Sequence, residues 1–242
     1  MLIHAAPRRP AIASTYCLGW TAAAFLTLAL SAALSAQDMY PRGRIIGSVE
    51  IPALHDVVNK GTPDAAPVSV SLYAAPGDVP PIVTIRDRSE IQSVEHGAEQ
   101  VSAAVFERTY RKDELWYQVR FKTAGGDGIG WLLARNVGQF RFLHELLTGG
   151  RGFLTDAWDR VLYEAPNRDA KRRTLTSVGE RQDVVVATMM DERGDAQNAW
   201  MLVVLTDGSF CDRGSQAVIA AGWIPAYSSA GNLTAWYYSR GC

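Results

Sequence analysis

The sequence has few of the side chains that bind metals or act as nucleophiles. It contains three cysteines and four histidines among 242 residues. The histidines after residue 36, His55, His96 and His144, are far apart, and Thr148 stands where a zinc-protease helix beginning at His144 would need its second histidine. The Gly-x-Ser-x-Gly motif that carries the nucleophile of many hydrolases is also missing. We therefore predict that the protein is not an enzyme and has no catalytic residue, no metal site and no cofactor.

The sequence also lacks an excess of positive charge. Lysine and arginine together number 24 and aspartate and glutamate 25, which gives a net charge of −1. The first 36 residues hold Arg8 and Arg9 and no acidic residue, so the rest of the chain is more acidic still. Binding to nucleic acid depends on neutralising phosphates with basic side chains. We therefore do not expect nucleic acid to be a partner.

A long, mostly apolar run lies near the N-terminus. Arg8 and Arg9 precede it, and small residues at positions 33–36 follow it, ahead of the polar Gln37. This order is typical of a secretory signal peptide. We predict that residues 1–36 are a signal peptide cleaved after Ala36 and that the protein is periplasmic or secreted. The alternative is an uncleaved anchor, because a run of about 20 apolar residues can span a bilayer; the membrane would then be contacted only through this segment.

If the protein is exported, its cysteine count indicates whether a disulfide bond can form. Cleavage after Ala36 leaves only Cys211 and Cys242, an even number in an oxidising compartment. We predict that they form a disulfide bond. The alternative of a reactive thiolate is disfavoured, because Asp212 places a negative charge beside Cys211.

The chain contains an internal repeat with three landmarks in the same order. A Leu-Tyr-x-Ala-Pro phrase at Leu72 resembles the phrase at Leu162, 90 positions later. A Trp-x-x-Val segment follows in each copy, and a Gly-Trp pair follows that segment. The Trp-x-x-Val segments begin at Trp116 and Trp200, and the Gly-Trp pairs begin at Gly130 and Gly222. A period of this length indicates one small domain in each copy rather than a solenoid.

Apolar and polar residues alternate from Val68 onward, which predicts β-structure. Residues 37–66 are expected to be an N-terminal segment and linker, in which residues 44–51 could add an edge strand. A single helix is expected over residues 139–147, ended by Gly149 and Gly150. The strands are expected at residues 68–72, 83–85, 101–110, 115–121, 129–133, 183–190 and 200–205. Lys112 and Asp113 are expected to form a short turn between two of these strands.

These landmarks resemble the bacterial SH3-like domain family. Its sequence pattern has a strand before a small-Pro turn, a Trp-x-x-Val strand, and a Gly hairpin leading into Gly-Trp. The resemblance implies an all-β protein with two tandem small SH3-like β-barrels, at residues 67–148 and 151–242, joined by a short helix or linker. It also implies a non-catalytic, often exported module that binds cell-wall peptide or a protein partner. We expect a binding or scaffolding protein of the bacterial envelope.

Aromatic side chains with a polar tip are the candidates for ligand binding, because they suit the docking of extended peptides. The tryptophans of the repeat, Trp116, Trp131, Trp200 and Trp223, are expected instead to fill the two barrel cores. The predicted ligand-binding residues are Tyr73, Tyr117, Tyr163, Trp236 and Tyr238.

Two other functions remain open at this point. A cell-envelope hydrolase could use Asp156, Asp159 and Glu164, provided that the three carboxylates converge and that one has a raised pKa. A structural subunit would instead show a large apolar patch between the barrels.

Overall fold

β-Branched and aromatic residues at alternating positions form the strands of an all-β protein. The computed structural model describes residues 40–52, 69–96, 100–178, 182–190, 198–207 and 217–238. These residues belong to one compact unit, residues 40–242. In the described ranges no helix is long and apolar enough to cross a membrane. The predicted signal peptide and both predicted disulfide cysteines lie outside the described residues.

The first half of this unit contains nine strands and a short α-helix, α1 (Leu143–Leu147). The strands are β1 (Gly47–Glu50), β2 (Val70–Leu72), β3 (Val83–Ile85), β4 (Ser93–His96), β5 (Gln100–Val105), β6 (Glu107–Arg111), β7 (Glu114–Thr123), β8 (Gly126–Leu133) and β9 (Phe140–Phe142). They form three sheets, with the strand orders β4-β5-β1-β9, β2-β3 and β6-β7-β8.

The second half forms one seven-stranded sheet, with the strand order β12-β11-β15-β14-β13-β10-β16. Its strands are β10 (Arg151–Leu154), β11 (Val161–Tyr163), β12 (Arg172–Thr174), β13 (Asp183–Met190), β14 (Trp200–Thr206), β15 (Val218–Pro225) and β16 (Ala235–Tyr237). The domain boundary predicted near residue 150 falls between α1 and β10.

Three strand arrangements recur in the two halves. The hairpin β2–β3 corresponds to β11–β12, and the meander β6-β7-β8 corresponds to β13-β14-β15. β1 lies between β5 and β9, as β10 lies between β13 and β16. A glycine marks the tightest approach in each of these two places. A Cβ added to Gly47 would lie 2.2 Å from the Arg141 carbonyl oxygen, and one added to Gly152 would lie 2.3 Å from that of Trp236.

Most of the predicted strands are confirmed, and one turn is confirmed in detail. The strands predicted at 83–85 and 183–190 coincide with β3 and β13. The strand expected over 101–110 is instead two strands, which meet at Phe106. Lys112 and Asp113 have φ of 51° and 64°, as a two-residue hairpin turn with the twist of its flanking strands requires.

Two predictions about local structure were wrong. Residues 139–147 were expected to be one helix, but Phe140–Phe142 form β9, and only Leu143–Leu147 are helical. The strand expected at the sheet edge, β1, is instead bounded by β5 and β9 on its two sides. Both differences have one cause: β9 pairs with β1, with Gly47 opposite Phe142. This tertiary pairing outweighs the local helical pattern.

Apolar side chains are buried in two main clusters. The first core is formed by residues of β1, β2, β5, β7 and β8, such as Val49, Leu72 and Leu132. The second core is formed mainly by the seven-stranded sheet, but Ile45, Leu143 and Leu147 from the first half also belong to it. Each fully buried side chain of this size contributes about 1.5–3 kcal/mol, so the first half stabilises the core of the second.

Candidate functional site

Tyr73, Trp116 and Trp131 form a group of side chains that we call the first aromatic cluster. The Tyr73 amide donates to the Trp131 carbonyl oxygen at 3.0 Å, and the Trp131 amide donates to the Tyr73 carbonyl oxygen at 2.9 Å. The Tyr73 ring meets the Trp116 ring edge-on, with centroids 5.4 Å apart and an interplanar angle of 90°. This is one of the favoured geometries for aromatic pairs.

Tyr163, Trp200 and Trp223 form the second aromatic cluster with the same geometry. Tyr163 pairs with Trp223 across two antiparallel strands. The Tyr163 and Trp200 rings meet edge-on, with centroids 5.2 Å apart and an interplanar angle of 83°. The two copies of the sequence repeat therefore place three aromatic side chains in matching positions.

The glycine of each Gly-Trp pair makes this arrangement possible. A Cβ added to Gly130 would lie 2.9 Å from the Leu72 Cβ, and one added to Gly222 would lie 3.0 Å from the Leu162 Cβ. Each glycine thus lets the leucine of the Leu-Tyr phrase approach the strand that carries the tryptophan. This contact explains why the Leu-Tyr and Gly-Trp landmarks occur together in both copies.

The tryptophans lie on the opposite face of their sheets from the two main cores. In β7, Tyr117 and Val119 belong to the first core, whereas Trp116 forms a separate cluster with Trp131 and Leu133. Tyr73 packs against that separate cluster. The second core contains Met201 and Ile224 but none of the second aromatic cluster. Trp116, Trp131 and Trp200 are therefore buried, as expected of core residues, but they lie outside the two main cores because neighbouring residues of a strand face opposite sides.

Each aromatic cluster has two buried members and one half-buried member. Trp116 and Trp131 are buried, whereas Tyr73 is half-buried. In the second cluster Tyr163 and Trp200 are buried, and Trp223 is half-buried. Each cluster thus presents one of its three aromatic side chains partly to solvent.

One polar atom in the first aromatic cluster lacks a partner. Trp116 is 3% exposed, and its Nε1 has no hydrogen-bond acceptor among the residues that the structure describes. A buried donor without an acceptor costs about 1–3 kcal/mol.

The other predicted ligand-binding residues lie apart from the two clusters. Tyr117 is buried in the first core and stacks on Phe140 at 5.1 Å between centroids, and burial raises the pKa of its hydroxyl. Trp236 is buried in the second core. Tyr238 is half-buried, and its hydroxyl donates to a carboxylate oxygen of Asp183 at 2.5 Å. The structure therefore brings only Tyr73 and Tyr163 of the five into the aromatic clusters.

The three carboxylates of the alternative hydrolase hypothesis interact with different neighbouring residues. Asp156 accepts hydrogen bonds from the Tyr40 hydroxyl and from both terminal nitrogens of Arg42, the latter at 3.1 Å each. Asp159 accepts from the Val161 amide at 3.1 Å. Glu164 pairs with Lys171 at 2.9 Å, and both side chains are well exposed. Each carboxylate is held by its own neighbours.

The pKa of Asp156 is shifted in the direction opposite to that of a general acid. The Tyr40 hydrogen bond, followed by the Arg42 hydrogen bond, lowers the pKa of the Asp156 carboxyl. Burial and the hydrogen bond to Asp156 together raise the pKa of Tyr40 to about 12. This arrangement keeps Asp156 ionised and Tyr40 neutral, as in a structural contact.

Sequence patterns did not predict this contact. Tyr40 and Arg42 come from the segment before β1, and no motif links them with Asp156. The Tyr227 hydroxyl likewise donates to the Ile45 carbonyl oxygen at 2.5 Å, across 182 positions of sequence. The alternation of residues 115–119 could, however, have placed Trp116 on the face opposite Tyr117 and Val119.

The histidines and cysteines add no further site in the part of the chain that the structure describes. Across the described ranges, no group of three or more His, Cys, Asp and Glu side chains is placed to hold a metal ion. His144 is exposed and stacks on the Phe142 ring at 5.6 Å. Comparison with protein-family models, with curated proteins and with solved structures found no match in any of the three.

Proposed function

We propose that the protein is an exported, non-catalytic binding or scaffolding protein of the bacterial envelope. In this proposal each copy of the repeat is an SH3-like β-barrel, at residues 67–148 and 151–242. The strand arrangements that recur in the two halves support the duplication. The signal peptide predicted at residues 1–36 supports export to the envelope. The ligand is a cell-wall peptide or a protein of the envelope.

The observation that carries this proposal is the recurrence of one aromatic arrangement in both copies. Tyr73 and Trp131 pair as Tyr163 and Trp223 do, and each tyrosine meets a further tryptophan edge-on. These side chains lie outside the main cores, so their positions are not needed to fill those cores.

The chemistry of the clusters suits an extended peptide. The half-buried aromatic side chain of each cluster, Tyr73 in the first and Trp223 in the second, offers such a peptide an apolar face with a polar tip. Two weak sites on one chain also raise each other's effective concentration when the ligand repeats, as a wall polymer does.

Co-sedimentation with protein-free cell-wall sacculi tests the proposal. The protein would be the chain from Gln37 onward, which contains the whole compact unit. We expect the wild type to pellet with sacculi and the double variant Tyr73→Ala, Tyr163→Ala to stay in solution. Tyr110→Ala is the matched control, because Tyr110 is 73% exposed and lies outside both aromatic clusters. It should pellet like the wild type.

A milder variant guards against loss of binding through unfolding. Tyr73→Phe keeps the aromatic ring of the half-buried member of the first cluster and removes only its hydroxyl, so it should weaken pelleting while the thermal unfolding temperature changes little. If the wild type does not pellet, the wall is not the ligand, and cross-linking in the envelope would identify a protein partner instead.

A further inference from the structure

The two copies of the repeat differ in charge beside their aromatic clusters. Between Tyr73 and Thr84 the only charged residue is Asp78. The corresponding stretch of the second copy, between Tyr163 and Thr174, contains six charged residues. They are Glu164, Arg168, Asp169, Lys171, Arg172 and Arg173.

Three arginines of this stretch form no ion pair with any residue that the structure describes. Lys171 is paired with Glu164 at 2.9 Å. Arg168, Arg172 and Arg173 are exposed, and the described residues offer none of them an ion pair. Their charge is therefore available to a ligand in a protein whose overall charge is slightly negative.

The strand register shows which positions are equivalent. Leu72 is opposite Val83, and Leu162 is opposite Arg173. One position earlier the two copies differ: Arg172 is opposite Tyr163, whereas the Ile82 amide donates to the Leu72 carbonyl oxygen at 2.8 Å instead of continuing the register opposite Tyr73. The place beside Tyr163 is therefore held by a cation that has no counterpart in register beside Tyr73.

Arg172 shares a face of the sheet with the second aromatic cluster. Residues directly opposite each other on antiparallel strands point to the same side. Tyr163 is opposite Arg172 on one side and opposite Trp223 on the other, so the three form a row. The row in the second copy therefore ends in a cation.

The strand that carries these arginines is also open to pairing. β12 is the last strand at one edge of the seven-stranded sheet, and Arg172, Arg173 and Thr174 are all exposed. An edge strand can pair with an extended peptide through its backbone. Guanidinium groups bind carboxylates with two parallel hydrogen bonds. Charge at an edge can also serve only to prevent aggregation, and for that purpose either sign suffices.

We propose that the second aromatic cluster binds an extended peptide that carries carboxylate groups, and that Arg172 sets this preference. The inference depends on the proposed binding function, since it names the ligand of the same site. Arg172 is a specificity residue that contacts a ligand carboxylate, and Arg168 and Arg173 supply supporting charge.

Fluorescence polarisation of labelled peptides tests the inference with the chain from Gln37 onward. The probe is a ten-residue peptide of alternating Glu and Ala, and the control peptide has Gln in place of Glu. We expect the acidic peptide to bind more tightly than the control, and increasing NaCl to weaken its binding.

Two substitutions separate ligand binding from edge protection. Arg172→Glu keeps a charge at the edge but reverses it, so it should weaken binding of the acidic peptide about tenfold while the protein stays monomeric. Arg172→Lys keeps the positive charge but loses the two parallel hydrogen bonds, so it should weaken binding less than Arg172→Glu does. If Arg172→Glu binds the acidic peptide as tightly as the wild type does, or if the wild type shows no preference for it, the inference is wrong.

The failure of this inference differs from that of the proposed function. Sacculi that pellet the wild type but not the Tyr73→Ala, Tyr163→Ala variant, together with peptide binding that ignores Arg172, would overturn only the inference. Arginine-dependent peptide binding without pelleting would overturn wall binding and leave the inference standing.

Discussion

The Tyr40 hydroxyl donates a hydrogen bond to the Asp156 carboxylate across 116 positions of sequence. The Tyr40 ring also meets the Phe153 ring edge-on at 6.3 Å, and the Arg42 guanidinium lies 4.8 Å from the centre of the Tyr40 ring. The segment before β1 is thereby attached to the second half of the unit. The contact joins parts of the chain that the repeat alone would assign to different domains.

Replacing Asp156 should change how stability depends on pH. The pKa of Asp156 is lowered in the folded state, so its contribution is present at neutral pH and is lost as pH falls below about 4. Asp156→Asn should cost less than about 1 kcal/mol at pH 7, because Asp156 and Arg42 are about half exposed. Urea unfolding at pH 7 and pH 3 would measure both values. The difference between variant and wild type should shrink at pH 3, and a constant difference would contradict the assignment.

Tyr40 should produce a second pH dependence, on the alkaline side. The folded state raises the pKa of Tyr40 from 10.0 to about 12, so its stabilising effect is complete below pH 10 and is lost as pH rises towards 12. Tyr40→Phe should remove this alkaline loss. Urea unfolding at pH 8 and pH 11 would measure it, and Tyr110→Phe, at a well exposed tyrosine, is the matched control.

The glycines of the Gly-Trp pairs should not tolerate a methyl group. Gly130→Ala and Gly222→Ala place a Cβ 2.9 Å and 3.0 Å from a leucine Cβ, so each should destabilise the protein by about 1–3 kcal/mol. Thermal or urea unfolding would measure the change. Gly125→Ala is the control, because its added Cβ would lie 3.6 Å from the Thr123 hydroxyl oxygen, an ordinary van der Waals distance. Equal effects at the three positions would contradict the close-approach explanation.

Leu147 should stabilise the second half although it lies in the first. Its side chain is 1% exposed and belongs to the second core. Leu147→Ala should cost about 2–5 kcal/mol and speed amide hydrogen exchange in β10, β13 and β14. Leu72→Ala, which alters the first core, should affect β7 and β8 more strongly. If the Leu147→Ala variant speeds amide exchange only in the first half, the two cores are independent and the prediction is wrong.

Reduction should destabilise the oxidised protein if Cys211 and Cys242 are bridged as predicted. A loop of this size corresponds to about 3–4 kcal/mol. Thiol titration of the unfolded, non-reduced protein made from Gln37 onward should find no free thiol, and a reducing agent should lower the unfolding temperature. Two free thiols would refute the bridge. The double variant Cys211→Ser, Cys242→Ser should match the reduced wild type and should not respond to the reducing agent.

Alternation and turn residues were enough to predict most strands, because both are local signals. Asp183–Met190 is rich in β-branched residues, and the strand was found at the predicted bounds. The positive φ of Lys112 and Asp113 agrees with the predicted turn. Residues 139–147 were mispredicted because a helical pattern of apolar residues there competes with the pairing of β9 to β1, which depends on residues more than 90 positions away.

The aromatic clusters were predictable in part. The repeat identified all six members, since their spacing relative to the Leu-Tyr and Gly-Trp landmarks recurs. It did not show on which face the tryptophans lie, and Tyr117 and Trp236 were nominated as ligand residues although they are buried in the main cores. The position of Arg172 opposite Tyr163 was also hidden, because only the strand register shows it.

The sequence by itself determined that the chain is β-rich, that its second part repeats its first, and that Leu-Tyr and Gly-Trp belong together. These properties depend on residues that are close in sequence or that recur at similar spacing. Only the tertiary structure decided that β1 is an inner strand, that Leu147 packs in the second core, and that Tyr40 binds Asp156. Such contacts are chosen by complementarity between distant surfaces, for which a local pattern of side chains contains no information.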